Sequence, residues 1–217
     1  MKNPNDKLDI RNPITEYEVN QAQIAQDEAW GSLDIEPDDV PKILTFFPEG
    51  FFTAFYDNKG AGNFYTVRLD YDLDNPIKTW TDVSANGTCS THQPNGKTLY
   101  GISLGVSPKF RGMKIGQLLV QRVLDFCVEI NCKNFVLGCR VPEYYKHSEI
   151  PIEQYITLKN EKGEYQDPEL RFYSRCGLYF TKPMPEYMSA ENADPESLNY
   201  GVMSIWDNPY YKSSAEE

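Results

Sequence analysis

Residues 99–116 read Leu-Tyr-Gly-Ile-Ser-Leu-Gly-Val-Ser-Pro-Lys-Phe-Arg-Gly-Met-Lys-Ile-Gly, and no other stretch restricts the fold as tightly. An apolar, small-residue run over 98–106 suits a central strand, and Pro108 ends it. A loop containing Arg111 and Gly112 then opens a helix over 114–130. Ile115, Leu118, Leu119, Arg122, Val123, Phe126 and Ile130 fall near one face of that helix. Residues 134–138, Asn-Phe-Val-Leu-Gly, follow as a short buried strand. It is most simply parallel to the first, through a right-handed crossover. The loop aims several backbone N–H groups at one point, where the helix dipole is positive, which suits a phosphate or pyrophosphate. Gly112 and Gly116 remove side chains where a ligand or a neighbouring strand must come close.

The rest of the chain builds around this unit. Residues 1–14 are polar and proline-punctuated and are expected as a loose arm. A helix is expected over 17–30, and Glu36-Pro37-Asp38-Asp39 reads as the start of another over 40–47. Residues 51–56 and 63–71 flank Asp57-Asn58-Lys59-Gly60-Ala61-Gly62 and predict a hairpin. Residues 72–97 form a long irregular segment, a length that more often than not carries function. Helices are expected over 151–159 and, capped by Asp167-Pro168, over 167–175. Closing strands are expected over 177–181 and 200–206, and residues 213–217 form a polar tail. With 217 residues and no internal repeat, one domain over 15–212 is the expected organisation.

Composition excludes several classes. A formal net charge of −11 disfavours a phosphate backbone as partner, so nucleic acid is not expected. Acidity would attract a cationic acceptor, though it also serves solubility. Five cysteines, an odd number without metal-finger spacing, read as reduced, partly buried thiols. No run approaches the ~20 apolar residues of a membrane span, and the first residues lack an apolar signal region. A soluble, cytoplasmic protein without membrane partners is expected. Only two histidines argue against a zinc site, and no metal is expected. Neither a Gly-x-Ser-x-Gly elbow nor the Gly-Lys-Ser/Thr of a P-loop is present.

The stretch from Val106 through Arg111-Gly-Met-Lys-Ile-Gly116 to Leu119 resembles the acyl-CoA-binding motif of the GNAT superfamily of acetyltransferases, Arg/Gln-x-x-Gly-x-Gly/Ala. Lys114 stands where the middle glycine is usual, and it still offers its backbone N–H. Phe172-Tyr173-Ser174-Arg175-Cys176-Gly177-Leu178 resembles the superfamily's aromatic-Tyr-x-Lys/Arg-x-Gly segment. More narrowly, the chain is similar to GNAT-type domains that stand alone or are fused to carbon–nitrogen hydrolases. Phe47-Pro-Glu-Gly50, Thr79-Trp80, Thr91-His92, Leu99-Tyr-Gly101, Arg140-Val-Pro142 and Asp167-Pro168 carry that likeness.

The resemblance implies an α/β fold: a mixed, twisted sheet with helices on both faces, in which the fourth strand splays from the fifth and acyl-CoA wedges between them. It implies acetyl-CoA as donor, a small-molecule amine as acceptor and direct transfer, with a homodimer as a common assembly in the superfamily. Leu104, Gly105 and Val106 would pair with the pantetheine amides. A bulge at Gly105 would free an N–H for the thioester carbonyl. Arg111, Gly112, Met113, Lys114, Ile115 and Gly116 would hold the pyrophosphate.

Tyr173 is the candidate general acid, returning a proton to the CoA thiolate; otherwise it is a core aromatic. Relatives often carry a glutamate base where this chain has Ser103, so His92, with its suitable intrinsic pKa, is the candidate base, and Glu49 or a water relay are the other options. Trp80 would wall the acceptor pocket or pack in the core. Arg140 would bind an acceptor carboxylate or a phosphate, or pair with Asp167 or Glu169. Two further readings remain open: a GNAT-like decarboxylase and S-acyltransferase that loads a carrier thiol from malonyl-CoA, and a non-catalytic acyl-CoA-binding module.

Overall fold

The structure is a computed structural model and describes residues 7–31, 39–188 and 193–213. One seven-stranded sheet has the order β1-β2-β3-β4-β5-β7-β6. Its strands are β1 (Leu8–Arg11), β2 (Phe51–Tyr56), β3 (Lys59–Leu69), β4 (Thr98–Val106), β5 (Asn134–Arg140), β6 (Tyr179–Met184) and β7 (Gly201–Asp207). Among the described residues, only β4 and β5 are parallel; every other strand pair is antiparallel. The crossover between them is α4 (Ile115–Glu129), so the strand–loop–helix–strand unit expected from residues 98–138 is present.

Helices cover both faces. Helices α1 (Glu16–Gly31), α2 (Val40–Ile43) and α3 (Trp80–Ser84) lie on one side. There Ala22, Val40, Ile43 and Val83 share a core with Tyr65, Val67, Tyr100 and Val136 of the sheet. Helices α4, α5 (Ile152–Tyr155) and α6 (Pro168–Arg175) lie on the other. There Leu119, Val123, Tyr155 and Leu170 pack with Phe64, Leu99, Phe135 and Leu137. Two dry layers follow from the alternation of side chains along the strands.

The structure corrects several expectations. Residues 8–11, expected within a loose arm, form edge strand β1 against β2, with Ile10 opposite Ala54; residues 1–6 lie outside the described residues. The hairpin turn is tighter than expected. Asp57 and Asn58 both take positive φ, the two-residue turn whose twist suits flanking strands, so β3 begins at Lys59 and runs through Gly60-Ala61-Gly62. The start of α2 is Asp39, whose carboxylate accepts from the Lys42 N–H; residues 36–38 lie outside the described residues. The helix expected over 151–159 is only the single turn α5. Of the tail, 214–217 lie outside the described residues. No described helix is long and apolar enough to cross a membrane.

Candidate active site

The site begins where the central strands part. Strands β4 and β5 pair only from Thr98 opposite Asn134 to Gly101 opposite Leu137. Beyond that, β4 stays with β3 as far as Val106, and β5 stays with β7 as far as Arg140. A cavity of about 90 Å³ opens between them, walled by Ser103 and Leu104 on β4, by Gly138 to Arg140 on β5, and by Glu169 and Tyr173 of α6.

Packing on the two strands accounts for the parting. The β3–β4 register shifts after Gly101, so that Tyr65 faces Ser103 and Thr66 faces Gly101, leaving Ile102 as the extra residue. This bulge adds twist just where β5 departs. The Trp80 indole N–H donates to the Ile102 carbonyl at 3.0 Å and holds it. The bulge is therefore at Ile102 and not at Gly105. Gly105 is required for another reason: a Cβ there would lie 2.9 Å from the Ala29 Cβ and 3.0 Å from the Trp30 Nε1 of α1. On β5, a Cβ at Gly138 would lie 2.2 Å from the Tyr187 ring. The hydroxyl of Tyr187 meets that of Tyr100 at 2.9 Å, which anchors it on the opposite face.

Helix α6 brings two titratable side chains to the cavity. Asp167 caps it, accepting from the N–H groups of Glu169 and Leu170 at 2.9 and 3.2 Å, and Pro168 starts the first turn. Residues four apart share a helix face, so Glu169 and Tyr173 both meet the cavity. Tyr173 is 7% exposed, and burial holds its phenol well above the ordinary range, with Cys139 and Glu169 adding to the effect. The phenol is therefore protonated at neutral pH, the state an acid needs. Glu169 is half-buried, its side chain 33% exposed, and the desolvation it suffers pushes its carboxyl up to about 7, against the opposing pull of Arg140. Burial also holds the Cys139 thiol far above its usual range, so it is a neutral wall group and not a nucleophile.

Arg140 lies in the wall, but its guanidinium is engaged. Nε and Nη2 donate to the two oxygens of Asp194 at 2.6 and 2.7 Å, Nη2 donates to Glu196 at 3.1 Å, and Nη1 stands 3.7 Å from Glu169. Burial opposes its charge, yet Asp194, Glu169 and Glu196 outweigh it and hold the pKa above the usual value. The fork geometry is that of a bidentate pair. Of the two partners considered from sequence, Glu169 is a neighbour; Asp194 is the principal one.

At the open end of the cleft, Arg111 to Lys114 are exposed while Ile115 is buried. Lys114 has φ 61° and ψ 14°, and Gly112 has φ +84°. These left-handed residues turn the chain so that α4 begins without a side-chain cap. The positive end of a 15-residue helix is thus presented to solvent beside the cleft. Arg111 Nε donates to the Val106 carbonyl at 3.3 Å, which ties the loop to the end of β4. Leu104, Val106 and the loop from Arg111 to Gly116 therefore follow one another along one edge. A Cβ at Gly116 would come within 3.3 Å of the Phe172 ring, so α4 and α6 approach closely there.

His92 and Glu49 are elsewhere. The Arg68 N–H donates to His92 Nδ1 at 3.3 Å, and the imidazole stacks on Phe47 with centroids 4.0 Å apart. Arg68 faces Leu99, at the end of β4 away from the opening. Burial lowers the His92 pKa. Glu49 is exposed, in the turn beside Phe47, and its carbonyl accepts from Asn12. Neither side chain walls the cavity, so the structure does not bring the expected bases to Tyr173. Trp80 acts from behind β4 through Ile102 and does not line the opening. Sequence reasoning treated Glu169 only as an ion-pair partner; its position four residues before Tyr173 on a capped helix was the available signal.

A family model described as "Acetyltransferase (GNAT) family" matches residues 23–147. The chain is 32% identical over 214 residues to an uncharacterized N-acetyltransferase, YkwB, of Bacillus subtilis, covering 96% of this chain and 92% of that one. It is 28% identical over 206 residues to a probable hydrolase, YhcX, of the same organism, covering 94% of this chain and 39% of that one. Among solved structures, the loading GNATL domain of CurA from Lyngbya majuscula superposes with a TM-score of 0.78 at 24% identity, over 93% of this chain and 98% of the other.

Proposed function

The chain belongs to the GNAT acetyltransferase family, and from that premise we propose that it moves an acetyl group from acetyl-CoA to a small amine by direct attack. The observation that carries this reading is the parting of β4 from β5 over Tyr173. Two strand edges left without each other's hydrogen bonds can accept the amides of a pantetheine arm. The uncapped start of α4, with Arg111 beside it, suits the diphosphate at the other end of the same ligand.

The reaction needs few parts. Amine nitrogen attacks the thioester carbonyl, the C–S bond breaks, and the departing thiolate takes the Tyr173 proton. Restoring the phenol uses the proton that the new amide nitrogen sheds. Most of the acceleration comes from holding both reactants in one cleft. Ser103 is no carboxylate and cannot serve as a base.

The experiment is calorimetric binding of acetyl-CoA to the Arg111→Ala variant. Loss of one charge-assisted contact should weaken affinity by about tenfold or more. Unchanged affinity would remove the loop from the donor site. A second reading, decarboxylation of malonyl-CoA with loading of a carrier thiol, is favoured by the likeness to the loading GNATL domain. Against it stands Arg140, the cation of the wall, whose fork is already filled by Asp194. Release of carbon dioxide from malonyl-CoA would decide for the second reading. Tight acetyl-CoA binding without transfer to any amine would leave the binding-module reading.

A further inference from the structure

We propose that Glu169 is the general base that takes the proton from the incoming ammonium, and that the acceptor is a cationic amine with no carboxylate of its own near the reacting nitrogen. This rests on the acetyl-transfer reading and assigns two things to it: the missing base and the acceptor class. Glu169 and Tyr173 wall the same cavity from one face of α6. One base and one acid on successive helical turns is the arrangement that deprotonation of an amine and protonation of a thiolate require.

The surroundings of Glu169 fit the role. From β5 it faces Arg140, with Nη1 at 3.7 Å, and Cys139. From its own element it faces Asp167 and Tyr173, and from the segment after β6 it faces Asp194 and Glu196. Desolvation raises the carboxyl to about 7, with those carboxylates adding and Arg140 opposing. A base that titrates near neutrality is ionised often enough to accept a proton and basic enough to hold it. Arg140 does not lock Glu169 as a permanent ion pair, because its closest and bidentate partner is Asp194.

The same residues set the acceptor class. Glu169, Asp194 and Glu196 surround one guanidinium, and Asp167 lies beside Glu169. With Glu169 ionised this group is net negative, so it attracts an ammonium and repels an acceptor that carries a carboxylate close by. In the step itself the ammonium N–H bond breaks and its proton passes to the Glu169 carboxylate. The neutral amine attacks, and the protonated Glu169 later returns the proton to water. Atoms and charge balance without a further reactant.

The test measures acetyl transfer from acetyl-CoA to butylamine and to gamma-aminobutyrate, against pH, in the 217-residue chain. Wild type should prefer butylamine in kcat/KM by about tenfold or more and lose rate as pH falls below about 7. Glu169→Gln should lower kcat/KM for the amine about 10²–10⁴-fold at neutral pH. Its acidic limb should vanish, replaced by a rate that climbs with the fraction of free amine. Acetyl-CoA affinity should stay within about twofold, since Tyr173 and the Arg111 loop are untouched. Glu169→Asp keeps a carboxylate and should retain a limb at a reduced rate, which separates chemistry from folding. An active wild type whose Glu169→Gln variant keeps the limb would overturn this proposal alone. A wild type inert toward both amines would overturn the acetyl-transfer reading and this proposal with it.

Discussion

Tyr173→Phe is expected to lower kcat for acetyl transfer by about 10²-fold or more, with acetyl-CoA affinity almost unchanged. The substitution removes one oxygen from a ring that is otherwise packed against Phe172 with centroids 4.9 Å apart. Among the described residues, nothing takes a hydrogen bond from the Tyr173 hydroxyl, so its loss leaves no buried partner stranded, and stability should move little. The effect then reads chemistry. Because burial holds the phenol far above its usual range, the wild-type rate should show no alkaline limb from Tyr173 near neutrality. Thiol release by steady-state assay, together with calorimetry, checks both halves. A variant with wild-type turnover would remove the acid role and return the residue to the core.

Asp167→Ala should destabilise the fold by about 2–4 kcal/mol, the largest stability effect expected from any single side chain near the site. The carboxylate is 1% exposed. It accepts from Glu169 N–H and Leu170 N–H at the start of α6, from the Tyr155 hydroxyl at 3.0 Å and from Glu143 N–H at 3.4 Å. Alanine would lose the cap and leave the Tyr155 hydroxyl buried without its acceptor. Asparagine keeps the oxygen that caps α6 but sets an NH2 against the Tyr155 hydroxyl and Glu143 N–H, so it should cost less than alanine, about 1–2 kcal/mol. Urea unfolding of both variants tests this. An alanine variant as stable as wild type would show that α6 does not depend on its cap. Because Glu169 and Tyr173 ride on the same two turns, the alanine variant should lose activity before it unfolds.

The central unit was legible because its signals are local. An apolar run, a proline, a glycine-bearing loop and a helix-period face occur in order within residues 98–138, and α6 announces itself through Asp167-Pro168. Strand β1 was not legible, since four residues with only Leu8 and Ile10 apolar look like an arm until β2 is there to pair them. The hairpin turn was misplaced because glycines at 60 and 62 outweighed Asp57-Asn58 in the reading. Gly60 and Gly62 serve close packing instead: a Cβ would lie 2.0 Å from the Gln21 carbonyl oxygen at one and 2.6 Å from the Gly105 oxygen at the other. His92 attracted attention for its intrinsic pKa, a property of the residue type that says nothing of place. Glu169 escaped it because its environment is assembled from β5 and from Asp194 and Glu196, distant in sequence and invisible to any local pattern.

The short pairing between β4 and β5 has a thermodynamic consequence. Any donor that bridges their separated edges is bound only by the folded chain, so ligand occupancy and resistance to unfolding rise together. At a concentration a hundred times its dissociation constant, such a molecule would add about 2.7 kcal/mol to the folded state. Melting temperature thereby becomes a ruler for thioesters of different chain length, readable before any recipient is known.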